Sequence, residues 1–194
     1  MELNATAKVI LGMLAAQPRS GYEIKQLVDN SARFFWAASY GQIYPELKRL
    51  KKAGLISGDD SSTGGRQRTT FRLTAKGERA AREWMSKPAE VLETRDEGLL
   101  KLFFSGSIEP TRTAEIARER AAASRAMAEQ LRFIQQQVDE AGKPEGADAN
   151  PDAGSLTVLR YGIEMSEWNA AFFERAADDL ERETSGAVTA AGGR

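Results

Sequence analysis

The residues of this chain best suited to chemistry lie in one stretch, Ser39-Tyr40-Gly41-Gln42-Ile43-Tyr44-Pro45-Glu46-Leu47-Lys48-Arg49-Leu50-Lys51-Lys52-Ala53-Gly54. Ile43, Leu47 and Leu50, with Leu55 beyond, recur at helical spacing and must bury one side. Lys48, Arg49, Lys51 and Lys52 crowd the other sides. Such a helix offers ammonium and guanidinium groups to phosphate oxygens, and a carboxamide at Gln42 able to pair bidentately with adenine. More cations follow at Gly64-Gly65-Arg66-Gln67-Arg68. Glycines there let a backbone approach closely, and arginine is favoured where a nucleic-acid groove is narrow. The overall charge of −1 hides this asymmetry: residues 1–79 hold 13 Lys and Arg against 7 Asp and Glu, a net +6, leaving −7 behind. A basic front and an acidic back imply a polyanionic partner for the front alone.

Two absences exclude much other chemistry. The chain has no cysteine, hence no thiolate nucleophile, disulfide or Cys-based zinc site. It has no histidine either, which removes imidazole bases and His-ligated metals. The carboxylate pair Asp96 and Glu97 has no nucleophile or base beside it, and reads as the acidic start of a helix. Neither enzyme activity, cofactor nor metal is expected. No apolar run approaches the roughly 18 residues that cross a bilayer. The N-terminus, MELNATAKVILGML, sets Glu2 ahead of Lys8, the reverse of a secretory signal. A cytoplasmic protein without membrane contact is expected.

The elements that must position those cations can be read in order. A first helix runs from Asn4 or Thr6 to Ala16, with Ile10, Met13 and Leu14 on one face, and Gln17-Pro18-Arg19 breaks it. Ser20-Gly21-Tyr22-Glu23 is a capping box opening a second helix, which carries Ile24, Leu27 and Val28. Phe34-Phe35-Trp36 is too dense a cluster for a surface. The basic helix begins near Gly41 or Gln42, with Pro45 in its first turn and Gly54 as its stop. Leu55-Ile56-Ser57 and Thr69-Thr70-Phe71-Arg72-Leu73 read as two short strands around a Gly/Ser/Asp turn. Thr74 caps a further helix, from Ala75 through Trp84 to Pro88. Helix, helix, helix, hairpin, helix is the plan of a winged helix-turn-helix, here over residues 1–88. In that plan the third helix enters the major groove N-terminal turn first. Ser39, Tyr40, Gln42 and Tyr44 would then meet base edges and phosphates, and Lys48 and Arg49 phosphates. Tyr22 is placed for a backbone contact, or equally for the core. Arg66, Gln67 and Arg68 would form the wing tip.

Residues 89–183 read as a second, α-helical domain for dimerisation, making the chain mainly α. Leu99, Leu100, Leu102, Phe103 and Phe104 form a dense apolar patch in a helix starting near Thr94. Glu109-Pro110 opens a long helix to about Ala141, with Ile116, Ala123, Met127, Leu131, Ile134 and Val138 along one side. Residues 142–154 form a flexible connector. In the last helix, about Ser155–Glu183, Leu156, Leu159, Ile163, Ser166, Ala170, Phe173, Ala177 and Leu180 make a coiled-coil-like seam. A second row, Val158, Tyr161, Met165, Trp168 and Phe172, is displaced by two residues, about 200° around a helix. A helix apolar on two sides must be covered on both. A second copy is the simplest further cover, with Leu156, Leu159, Ile163, Trp168, Phe172, Phe173 and Leu180 as candidate dimer contacts. The sequence leaves open which row faces the partner; a single-chain bundle covering both is the alternative. Residues 184–194 are expected to be a disordered tail.

The runs Ser20-Gly21-Tyr22-Glu23-Ile24, Gly41-Gln42-Ile43-Tyr44-Pro45-Glu46-Leu47-Lys48-Arg49-Leu50, Gly54-Leu55-Ile56, Gly65-Arg66 and Phe71-Arg72-Leu73-Thr74 resemble the PadR family of transcriptional regulators. The likeness is specific over about the first 80 residues. Behind it, Leu99-Leu100-Lys101-Leu102-Phe103-Phe104 and the two long helices look like the C-terminal domain of the virulence-activator subgroup, more in architecture than in motif. The resemblance implies a homodimer on a roughly palindromic double-stranded DNA operator, usually repressing a neighbouring gene and often released by a small molecule. Thr69-Thr70-Phe71 departs from the aromatic residues the family often has in its wing. Trp36, Trp84 and Trp168, with Tyr161 and Phe172, could line an effector pocket, since flat ligands stack on such rings; the alternative is that they are core and interface. A winged helix that binds protein rather than DNA is the rival reading.

Overall fold

The computed structural model describes residues 2–28, 40–63, 66–89, 96–140 and 153–191. They fall into two compact units, one ending before Leu92 and one beginning there. Phe34, Phe35, Trp36, Ser39 and most of the expected connector lie outside the described residues.

The first unit contains α1 (Ala5–Ala16), β1 (Arg19–Ser20), α2 (Gly21–Leu27), a 3-10 turn (Tyr40–Gln42), α3 (Ile43–Lys52), β2 (Ile56–Thr63), β3 (Arg66–Leu73) and α4 (Ala75–Ser86). Asn4 caps α1, its Oδ1 accepting from the Ala7 N–H at 2.8 Å. The capping box forms as expected: Ser20 Oγ accepts from the Glu23 N–H, and Glu23 accepts from the Ser20 N–H at 2.7 Å. The apolar faces of the first three helices and the start of β2 meet in one core of Ile10, Leu11, Leu14, Ile24, Ile43, Leu47, Leu50, Leu55 and Ile56. The basic helix stops as its sequence requires. Gly54 adopts a left-handed φ of +69°, its N–H bonds to the Lys51 carbonyl, and the Leu55 N–H reaches back to Leu50. This pattern, a Schellman motif, satisfies carbonyls at the end of α3. Lys76 Nζ adds a bond to the Ala53 carbonyl at 2.8 Å.

The hairpin is longer than the sequence suggests. β2 and β3 pair antiparallel from Ile56↔Leu73 to Thr63↔Arg66, where the pattern had pointed to strands of three and five residues. Aspartates are poor strand formers, but across the strands Thr69 Oγ1 donates to Asp60 at 2.6 Å and Arg72 pairs with Asp59. Such cross-strand contacts stabilise a ladder that propensity alone would not extend. A third strand, β1, pairs with β3 through Arg19↔Phe71 and Ser20↔Thr70, giving the order β1-β3-β2. A strand of two residues, the second of them the cap of the next helix, carries no periodicity to read.

The second unit contains α5 (Glu97–Ile108), a 3-10 turn (Pro110–Arg112), α6 (Thr113–Glu140) and α7 (Ala153–Ala191). Asp96 caps α5, accepting from the Leu99 N–H, and Arg120 of α6 grips its carboxylate at 2.5 and 2.8 Å. The acidic start of this helix is therefore structural. α6 and α7 run antiparallel, joined by the ion pairs Arg118–Glu181, Arg125–Glu174 and Arg132–Glu167. The rungs are seven residues apart on both helices, as along a coiled-coil seam. On α6 the buried residues are Ala117, Ala121, Ala128 and Leu131; of the row read from the sequence, only Leu131 is fully buried and Ala123 is exposed. The small alanines let the two helices approach closely.

The seam row of α7 is spent inside the chain. Ile163, Ser166, Ala170, Phe173 and Ala177 are buried, Leu159 and Leu180 are half-buried, and the Arg120 guanidinium lies 4.8 Å over the Phe173 ring. This corrects the expected dimer contacts: Leu159, Ile163, Phe173 and Leu180 line the seam that packs on α6. The displaced row, Val158, Tyr161, Met165, Trp168 and Phe172, is exposed, as is Leu156. α7 also continues to Ala191 instead of ending near Glu183. Its last turns are rich in alanine, the best helix former.

Candidate nucleic-acid interface

The third helix is set in place by its own apolar side and by one buried acid. Ile43, Leu47 and Leu50 are within 1% of full burial. Pro45 sits in the first turn of α3, where its missing N–H costs nothing. On the edge of this buried face the Glu46 side chain is only 7% exposed. Arg49 closes a fork on it, with Nε 3.0 and 2.8 Å from its two oxygens and Nη2 at 2.5 Å. Asn4 Nδ2 donates to the same carboxylate at 3.1 Å. Burial opposes ionisation of Glu46, and the bonds from Arg49 and Asn4 outweigh it, holding the carboxyl below its usual range.

The remaining side chains of α3 face solvent. Gln42, Tyr44 and Lys48 are exposed, as are Lys51 and Lys52. Gln42 Oε1 accepts a long bond, 3.4 Å, from Thr6 Oγ1 of α1. Tyr44 lies against the first turn of α2: a Cβ on Gly21 would come 2.8 Å from its ring. Tyr22, which the sequence left between backbone contact and core, is exposed, and its hydroxyl accepts from Gln26 at 3.1 Å. The close approach at Gly21 thus joins two tyrosine-bearing helix starts. Among the described side chains expected to make contacts from α3, Arg49 alone turns inward, towards Glu46. Ser39 lies outside the described residues, and Tyr40 is described by its backbone alone.

On the hairpin, Arg66 and Gln67 are described by their backbone, at the tip-proximal end of β3. Arg68 is exposed and pairs with Glu23 of the capping box at 2.6 Å. Glu23 is held down to about 2 by the Ser20 N–H, then by the Ser20 hydroxyl and Arg68. One carboxylate therefore caps α2 and ties it to the wing strand. The sequence signals the capping box but contains no sign of the Arg68 contact, which spans 45 positions. The Glu46–Arg49 pair, three residues apart on a helix, was readable from spacing.

The aromatics considered for an effector belong to different units of the chain. Trp84, half-buried, belongs to α4 of the first unit. Trp168 belongs to α7 of the second, where it stacks on Phe172 with ring centres 5.1 Å apart. Trp36 lies outside the described residues. Among the described residues no His, Cys, Asp or Glu cluster could hold a metal, and no helix is long and apolar enough to cross a membrane.

Residues 10–83 match the model of the transcriptional regulator PadR-like family, and residues 94–181 that of the virulence activator alpha C-terminal domain. The negative transcriptional regulator PadR of Bacillus subtilis is 26% identical over 160 residues, covering 81% of this chain and 87% of that protein. Its structure in complex with operator DNA superposes with a TM-score of 0.75 at 24% identity, over 89% of this chain and 97% of that one. Its complex with p-coumaric acid gives 0.72 at 24% identity, over 93% and 98%. The PadR-like transcriptional regulator BC1756 of Bacillus cereus gives 0.77 at 20% identity, over 93% and 99%. The solved structures share the fold, a winged helix followed by a helical domain. Both halves are thus matched in order: the chain carries a PadR-like transcriptional-regulator domain followed by a virulence-activator C-terminal domain.

Proposed function

We propose that this regulator binds a roughly palindromic operator as a homodimer, represses transcription there, and is released by a small aromatic molecule. The observation that carries the reading is the solvent side of α3, where Gln42 just before the helix and Tyr44 and Lys48 on it are exposed while its other side is locked into the core. Gln42 would read a base edge, Tyr44 and Tyr22 would position phosphates with Ser39 and Tyr40, and Lys48 would neutralise the backbone. The wing, with Arg66, Gln67 and Arg68, would reach the flanking groove. The Bacillus subtilis relative supports both ends of the cycle, since it is a negative regulator with structures on operator DNA and with p-coumaric acid.

Two-fold symmetry in the operator follows from two-fold symmetry in the protein. The dimer rests on the exposed row of α7, with Trp168 and Phe172 at its centre, together with the exposed Leu156 at the start of the seam row. A phenolic or similarly flat effector fits stacking on Trp84 or Trp168, with Trp36 as a third candidate. The site of action would be the chromosome in the cytoplasm.

Binding of the purified protein to its own upstream intergenic DNA, against scrambled DNA at two salt concentrations, tests the reading. A preference of about a thousandfold or more, with a steep salt slope, is expected. Equal, weak binding to both duplexes would remove sequence-specific regulation of its own neighbourhood. Neutralising Arg66 and Arg68 should weaken binding to every sequence and flatten the slope; an unchanged slope would take the wing off the DNA.

A further inference from the structure

We propose that Arg49 is a positioning residue: through the buried Glu46 carboxylate it fixes the basic helix α3 to the start of α1, and the DNA phosphates are met by its lysine neighbours. This rests on the DNA-binding reading above and deepens it, because it divides the cations of α3 into two roles.

Glu46 is in the first turn of α3, facing the core edge where α1 begins. A carboxylate this buried is costly unless its oxygens are satisfied by opposite charge and hydrogen bonds. Arg49 supplies the charge with two nitrogens in a fork, a geometry a lysine cannot reproduce. Asn4 completes the shell. Its Nδ2 donates to Glu46 while its Oδ1 caps α1, so one amide joins the first turns of two helices. A second link runs alongside, from Thr6 of α1 to Gln42 at the head of α3. The angle of α3 is thus set at the end that enters the groove.

The consequence for DNA binding is geometric. The guanidinium of Arg49 spends Nε and one Nη on Glu46, and the side chain is 38% exposed. Lys48, Lys51 and Lys52 are exposed on the same helix. A phosphate drawing Arg49 away would leave the Glu46 carboxylate buried and unpaired, a penalty none of the lysines carries. Arg49 therefore stays where it is when DNA binds, and its effect on affinity passes through the placement of Gln42 and Tyr44.

The test is the salt dependence of operator affinity, measured by fluorescence anisotropy, with thermal unfolding followed in parallel. The probe is a duplex recovered by the parent protein from fragmented genomic DNA, with a scrambled duplex beside it. Lys48→Ala should flatten the slope of log K against log salt by about 0.9, the loss of one phosphate contact. Arg49→Ala and Arg49→Lys should both lower the melting temperature and the operator-over-scrambled preference by tenfold or more. The paired change Glu46→Met with Arg49→Met removes the buried charge together with its partner, a replacement that proteins often accept. It should restore the melting temperature and bring affinity back to within about threefold, at the parent slope.

A restored double variant whose slope is flatter by about 0.9 would place Arg49 on a phosphate and overturn the proposal. So would an Arg49→Lys protein that binds as the parent does. If the double variant stays unstable, Arg49→Lys decides: loss equal to Arg49→Ala supports positioning, and retained affinity overturns it. A parent protein that recovers no preferred duplex overturns the DNA-binding reading itself, a failure visible before any variant is made.

Discussion

The two units of this molecule dispose of their apolar residues in opposite ways. In the first, three helix faces and a strand close on one another, and Ile10, Leu11, Ile24 and Leu50 are wholly shielded. In the second, α6 and α7 bury a single seam and leave large side chains outside it: Trp168 is 60% exposed and Phe103 of α5 is 80% exposed. A fully buried Phe contributes about 1.5–3 kcal/mol over an exposed one, so the second unit holds a large unused driving force. The described core of the first unit closes within one chain, leaving its basic surface to a partner of opposite charge. The second is a hairpin whose outer faces call for cover. On the reading proposed above, reading DNA and finding a second copy would be separate tasks, given to separately built parts.

The sharpest way to break that comparison uses adjacent residues with opposite fates. Phe173 is buried in the α6–α7 seam, and Phe172 stands outside it, edge-on to Phe173 with ring centres 5.1 Å apart. Phe173→Ala should cost about 3–5 kcal/mol of chain stability, the usual loss for a core phenylalanine. Phe172→Ala should cost the isolated chain little and instead shift sedimentation at micromolar concentration from dimer to monomer. Urea unfolding at high and low protein concentration separates the two effects. If Phe172→Ala destabilises the dilute protein as much as Phe173→Ala does, the outer row is not waiting for a partner.

Glycines make the same contrast on a smaller scale. A Cβ on Gly77, in the first turn of α4, would lie 2.0 Å from the Leu55 carbonyl oxygen, which already accepts from the Thr74 N–H. Neither backbone can yield without opening the β2–α4 junction, so Gly77→Ala should destabilise by about 3 kcal/mol. Gly106, inside α5, has nothing within 4 Å of a built Cβ. Gly106→Ala should stabilise by about 0.5–1 kcal/mol through helix propensity alone. Thermal melts of the two variants suffice, and like signs would contradict the open surface assigned to α5.

What the sequence disclosed and what it hid follow the same division. Local chemistry was legible: the Ser20 and Thr74 caps, the stop at Gly54 and the apolar stripe Ile43–Leu47–Leu50 each announce themselves within a few residues. The seam of α7 was legible as one of two rows, but its choice of α6 depends on which helix packs there. The alanines of α6 that admit it carry too little hydrophobic signal to stand out. β1 and the turn-side ends of β2 and β3 were hidden because cross-strand contacts, absent from any local window, stabilise them. Around α3, residue types placed Gln42, Tyr44 and Lys48 away from the apolar stripe, and all three are exposed. The pairing of Arg68 with Glu23 was not legible, because a surface arginine reads as a free cation until the fold supplies an acid.

The bonds on Glu23, from the Ser20 N–H first and then from the Ser20 hydroxyl and Arg68, give the first unit a pH signature. Glu23 is held at about 2 against an ordinary 4.5, so its ionised form is favoured by the fold. A depressed carboxyl stabilises fully above its unfolded value, and the contribution is lost as pH falls from about 5 towards 2. The side chain is 40% exposed, and solvent screening reduces the contribution to about 1 kcal/mol. Glu23→Gln should lower stability by about that amount at pH 7 and by only a small part of it at pH 2, where the carboxyl is about half protonated. Equal losses at both pH values would mean that shape, not charge, matters at this cap.

The ion pairs of the second unit supply the weakest test, and the comparison predicts that they should be weak. Arg132–Glu167 is a rung at 2.6 Å whose side chains are 57% and 40% exposed, unlike the shielded Glu46 of α3. Exposed pairs of this kind contribute about 0.2–1 kcal/mol and are screened by salt. Arg132→Ala should therefore cost about 0.5 kcal/mol at 50 mM salt and less at 1 M. The seam beneath, with Leu131 and Phe173 buried, would keep the helices paired, because burial rather than charge holds them. The rungs then act mainly on register, since sliding either helix by one turn sets the arginines opposite the wrong faces. A loss of several kcal/mol on removing one rung, undiminished at high salt, would show that the hairpin depends on its surface as the first unit depends on its buried acid.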